Sequence, residues 1–138
     1  MNTEDFVTFE QALALRRLGF DQNCDYYYIE STYNTFDRDG ETHLKGELMC
    51  RFSKYFSAGH CVKAPTLAQA HKWLRSKGLW VETYPEPFDA KGWEFDIYNL
   101  KGDYYYSFAF STVYGTYEEA LSDGITECIK ILEKECQN

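Results

Sequence analysis

The segment from Lys63 to Val81 constrains the fold most, because it carries every local signal of one helix with its entry and its exit. Thr66 has the hydroxyl of a good N-cap, which accepts a hydrogen bond from a first-turn N–H. Gln69 stands three residues later, where its side chain can reach back to the Thr66 N–H and complete a capping box. Pro65 holds Ala64 extended. Ala70, Trp73, Leu74 and Lys77 share one side at helical spacing. Gly78 suits the left-handed residue that ends a helix, and Leu79 can fold back on the last turn. Leu79 to Thr83 then has the composition of a buried strand. An aromatic on such a stripe reads as core, so Trp73 is expected inside and Arg75 in solvent.

The same chemistry opens two more helices. Thr8 with Gln11 starts a short one that runs to about Leu18, stops at Gly19 and leaves through Phe20-Asp21. Thr116 with Glu119 starts the last, where Tyr117, Ala120, Leu121, Gly124, Ile125, Cys128, Ile129 and Leu132 form the cleanest amphipathic stripe in the chain. Between the helices lie strand signals. Cys24 to Ser31 holds Tyr26-Tyr27-Tyr28-Ile29, and Asp39-Gly40 signals a hairpin into Thr42–Cys50. Arg51 to Ser57 either continues that strand or forms another, and Ala58 to Lys63 reads as a connection. Pro85 and Pro87 mark a loop or a sheet edge. Trp93 to Leu100 alternates, Lys101-Gly102-Asp103 turns, and Tyr104 to Val113 reads as the longest strand.

The predicted order is α-β-β-(β)-α-β-β-β-α. It implies a two-layer α+β domain spanning residues 1–138, with an antiparallel sheet of about five strands and three helices on one face. Neighbouring strand residues point to opposite faces, so the Tyr26–Tyr28 and Tyr104–Tyr106 runs place some tyrosines on the open face.

The 138 residues suffice for one core. The 44% hydrophobic and 18% aromatic content excludes a disordered chain. A net charge of −8 argues against unspecific binding to nucleic acid or membranes. The charge is uneven: residues 1–40 carry eight acids and three bases, residues 41–80 two acids and seven bases, and residues 81–138 twelve acids and four bases. The basic middle is either neutralised by its flanks in the fold or forms a patch for an acidic partner. Five cysteines without paired spacing fit reduced thiols in a cytosol. Glu4 and Asp5, with no apolar run after them, do not read as a secretory leader, and no run approaches membrane-spanning length.

Leu18-Gly19-Phe20-Asp21, then Ala64-Pro65-Thr66 with Gln69-Ala70 and Trp73-Leu74-Arg75, then Thr116-Tyr117-Glu118-Glu119-Ala120, give the chain a likeness. In that order the motifs resemble a family of small proteins common in Bacteroidetes genomes and in their phages and prophages. The likeness covers both ends and the middle and departs at residues 31–62 and 82–115. It implies a mobile-element origin and a bacterial cytoplasm, and brings no activity, cofactor or catalytic residue with it.

The residues themselves offer few catalytic constellations. His43, His60, Cys61 and His71 are the only soft-ligand group, without the short-spaced pairs of a zinc site. A Cys61 nucleophile with His71 as its base needs the two in hydrogen-bond reach. Asp37-Arg38-Asp39-Gly40 resembles part of a calcium loop, but position 12 falls on Gly46, so the bidentate glutamate is missing. Glu118 and Glu119 suit a helix dipole better than a carboxylate pair. No catalytic residue, metal or cofactor is assigned.

The composition points instead to a non-enzymatic protein-binding or accessory module. Its candidate surface is Tyr27, Tyr105, Lys45, Arg51, Lys54 and Arg75, since tyrosine favours interfaces and the cations suit an acidic protein. A homo-oligomer is compatible with this. The alternatives are a small enzyme or ligand-binding domain near Cys61 and His71, and a single-strand nucleic-acid binder. The latter would stack bases on sheet tyrosines, with Lys45, Arg51, Lys54, Lys63, Lys72 and Arg75 along the backbone.

Overall fold

The computed structural model describes residues 3–30, 44–50, 61–88, 91–100, 102, 104–107 and 112–137. The chain divides into two compact units, Val7–Pro65 and Thr66–Asn138 with Met1–Phe6. Both are helix on antiparallel sheet, so the class is α+β.

In the first unit, α1 (Phe9–Arg17) begins at the expected capping box. Thr8 Oγ1 accepts from Gln11 N at 3.1 Å, and Gln11 Oε1 accepts from Thr8 N at 2.8 Å. Gly19, at φ 94°, takes the left-handed position, and Phe20 N closes back on Leu15 O. Strands β1 (Tyr26–Ile29), β2 (Leu48–Cys50) and β3 (Cys61–Lys63) follow in the spatial order β2-β1-β3, all antiparallel. The central strand is covered on both faces. Tyr28 donates its hydroxyl to Val7 O and meets the Phe9 ring edge-on at 5.8 Å. On the other face Ile29 packs with Met49, Cys61 and Tyr27. The opposite orientations expected of Tyr27 and Tyr28 are therefore present.

In the second unit, α2 (Leu67–Ser76) has the same reciprocal box at Thr66 and Gln69 and buries Leu67, Ala70, Trp73 and Leu74. Gly78, at φ 91°, ends it. Strands β4 (Leu79–Pro85), β5 (Trp93–Asn99) and β6 (Tyr104–Ser107) form an antiparallel sheet in sequence order. Leu79, Val81, Phe95 and Ile97 alternate onto the buried face, against the Ala120, Leu121, Gly124, Ile125, Cys128, Ile129 stripe of α3 (Tyr117–Cys136). Gly124 lets helix and sheet approach closely, since a Cβ there would lie 2.4 Å from Val81 Cγ1. Each large apolar side chain fully buried in this layer contributes about 1.5–3 kcal/mol.

Several expectations need correction. The described strands form two sheets of three, not one of about five, and the helices are shared between the units, α1 in one and α2 and α3 in the other. The expected connection from Ala58 to Lys63 holds a strand, β3, which exists because Tyr27, Tyr28 and Ile29 pair with Lys63, Val62 and Cys61. A three-residue strand has too few positions to show alternation. The second expected strand is described from Leu48, because a turn with Gly46 at φ 86° precedes it. Of the expected strand from Tyr104 to Val113, the described part ends at Ser107, and Val113 is not in a strand. At Thr116 the box is half made: Thr116 Oγ1 accepts from Glu119 N, but Glu119 reaches past it to Gly115 N. The Asp39-Gly40 turn and the Arg51–Ser57 segment lie outside the described residues.

Candidate functional site

Among the described residues, strand β3 is an outer strand of its sheet. Ala64 N donates to Tyr26 O at 2.9 Å, which fixes the hydrogen-bond phase of the pair. Backbone groups of an antiparallel strand alternate in direction, so Val62 and Ala64 face β1 while Cys61, Lys63 and Pro65 face away. At the Pro65 end the outward carbonyl is taken by Val7 N at 3.1 Å. At Lys63 the outward N–H and C=O have no partner among the described residues.

Beside this strand lies a cavity of about 330 Å³, lined by Ala12, Arg16, Phe20, Tyr27, Cys61, Val62 and Lys63. The walls are mostly apolar and the charges are basic. Arg16 is engaged: its guanidinium forks onto Glu30, with Nη1 to Oε2 at 2.7 Å. The bond raises the Arg16 pKa and lowers that of Glu30. Lys63 is half-buried and is in no ion pair among the described residues. Burial pushes the nearby Cys24 thiol up to about 11, with Lys63 pulling the other way, so Cys24 stays protonated and non-nucleophilic at neutral pH.

The candidate residues from the sequence are dispersed. Tyr27 lines the cavity, half-buried. Lys45 is exposed in the same unit, its ammonium 5.9 Å from the Phe9 ring centroid. Arg75 belongs to the other unit and lies over the Trp80 indole at 5.1 Å, so it is not simply solvated. Tyr105 is a position of β6, and its side chain, like Arg51 and Lys54 altogether, lies outside the described residues. So do His43 and His60. Cys61 and His71 fall in different units. His71 Nε2 accepts from Val81 N at 3.0 Å, and the ring stands edge-on to Trp80. Burial, then the Arg75 charge, brings the His71 pKa down to about 4, so the imidazole is a neutral acceptor. Trp73 is 5% exposed, as expected for core. Among the described residues no three His, Cys, Asp or Glu side chains converge in a way that could hold a metal ion. No helix among them is long and apolar enough to cross a membrane.

Ala12, Arg16 and Phe20 were not legible as site residues. Their meeting depends on α1 packing beside β3, which no local signal announces. Lys63 was visible only as one cation of the basic middle. Comparison with protein-family models, with curated proteins and with solved structures finds no match.

Proposed function

We propose that this chain is a non-enzymatic protein-binding module of phage or prophage origin, acting in a bacterial cytoplasm, and that it takes an extended segment of its partner along β3. The outward N–H and C=O of Lys63, a residue that also lines a mostly apolar cavity, carry this reading. An added strand supplies main-chain hydrogen bonds, and its alternate side chains enter the pocket for specificity. Ala12, Phe20, Tyr27 and Val62 suit an apolar side chain there. The half-buried Lys63 ammonium suits an acidic one beside it.

Lys63→Pro tests this. Proline removes the outward N–H and leaves the bonds of Val62 and Ala64 to β1 intact. Short displayed peptides selected on the natural chain should protect the Lys63 amide from exchange and bind Lys63→Pro at least about tenfold more weakly, the worth of roughly 1.4 kcal/mol. Selected peptides that bind both chains alike would remove β3 as the site.

A further inference from the structure

The pairing positions on the outward side of β3 run out quickly. The Pro65 C=O is taken by Val7 N, and proline has no N–H to offer. A partner strand that pairs with Lys63 therefore finds no next pair in that direction. The run stops beside a charge. Lys63 and Arg16 line the cavity, and no carboxylate does so among the described lining residues. Glu30 holds and offsets Arg16, while Lys63 is in no ion pair among the described residues, so Lys63 is the charge that meets a ligand.

Lys63 brings three groups to one place. Its outward C=O can accept from a partner N–H, its outward N–H can donate to a partner oxygen, and its half-buried ammonium can donate to an anion. Lys63 stands opposite Tyr27 in the register of β1 and β3, and both line the cavity. A volume of about 330 Å³ lies at the low end for ligand sites, roughly 300–1,000 Å³, and suits one large side chain. A strand that stops here is either the start of a chain or its end. A start carries an ammonium, which Lys63 and Arg16 repel. An end carries a carboxylate, which Lys63 attracts, and salt screens a partly buried pair less than an exposed one.

We propose that the cavity beside β3 receives the carboxyl terminus of a partner protein whose last residue is large and apolar, with that side chain among Ala12, Phe20, Tyr27 and Val62 and its α-carboxylate on the Lys63 ammonium. This rests on β3 being the binding site and narrows the partner, because one residue supplies both the apolar side chain and the acid. Main-chain bonds give affinity in strand addition and a side-chain pocket gives specificity. The carboxylate adds register, since a chain has one end and a slip by one residue takes it away from Lys63.

A peptide library displayed with free carboxyl termini is selected on the full chain. Sequencing should find Leu, Ile, Met or Phe at the end of the selected peptides. These are then made with a fluorescent label as the free acid, as the terminal amide, and with one added terminal glycine. By anisotropy at physiological salt, the amide and the glycine extension should each bind at least about tenfold more weakly than the acid. Lys63→Met keeps the main chain and an apolar stem but removes the ammonium, so it should bind acid and amide within about twofold of each other. Lys63→Arg should keep the preference for the acid, and Lys63→Pro should weaken both forms. Thermal melting checks that every variant is folded. Acid and amide that bind the natural chain alike, while Lys63→Pro weakens both, would overturn the chain-end proposal and leave β3 as the site. Peptides indifferent to every Lys63 variant would remove both readings. A preference for the acid that survives Lys63→Met, or the absence of any selected peptide, would also overturn the proposal. So would displacement of the peptides by an equal amount of hexanoate or phenylacetate, which would make the ligand a free acid.

Discussion

Two strands that are outermost among the described residues, β3 in the first unit and β4 in the second, treat one outward N–H differently. Gly78 O accepts from Leu100 N, so the alternation turns Val81 N outward from β5. There His71, on the preceding helix, brings a neutral ring nitrogen to 3.0 Å and takes that N–H. At β3 the equivalent position is Lys63, with an outward N–H and C=O that no described residue takes. Unpaired strand edges invite pairing with other chains, and proteins commonly cover them. The contrast teaches that a helix side chain can take an outward N–H at β4, whereas none among the described residues does so at Lys63. The untaken Lys63 N–H has a cavity beside it.

The comparison breaks most visibly with proline. Val62→Pro removes an N–H directed at β1 and should cost about 3 kcal/mol or more, whereas Lys63→Pro should cost under about 1 kcal/mol. Urea unfolding of the two variants makes the test, and similar losses would mean that the hydrogen-bond phase assigned to β3 is wrong.

His71→Leu should come next. It keeps the volume but orphans Val81 N–H, for a loss of about 1–3 kcal/mol. Its thermal midpoint should fall, and His71→Gln, which restores an acceptor, should recover part of the loss. If leucine is tolerated without change, the Val81 N–H is taken by something other than the imidazole.

The same residue gives the edge a pH dependence. The folded pKa of about 4 lies below the ordinary value of 6.5, so the unfolded chain binds the proton more readily. The contribution of neutral His71 is complete above about pH 6.5 and is lost as the pH falls towards 4. The difference in stability between the natural chain and His71→Gln, followed by denaturation across that window, should shrink on acidification. A difference that stays constant would show that His71 titrates normally.

The helix caps set the smallest effect. Thr66→Ala and Thr116→Ala should each cost about 0.5–2 kcal/mol in the second unit, and Thr8→Ala, at the short α1, should cost least. Thr116 should matter most, because α3 carries the main buried stripe. Melting of the three variants ranks them, and a dominant Thr8 would shift the anchoring role to the first unit.

What the sequence determined by itself was local. A threonine hydroxyl and the backbone N–H three residues on need nothing beyond one turn of helix, so all three N-caps were legible, as were the glycine stops at Gly19 and Gly78. The apolar stripe of α3 was legible too, because a period of 3.6 is repeated many times in twenty residues. Tertiary structure decided the rest. Residues Cys61 to Lys63 become a strand only by lying against Tyr27–Ile29, more than thirty positions away in the chain. Nothing within a single hairpin says whether its strands join a sheet of five or close off in a sheet of three, because that depends on which edges other segments cover. His71 illustrates this best: its sequence neighbourhood offered a possible base or ligand, and its role was settled by an N–H ten residues on, held in place by the strand that carries it.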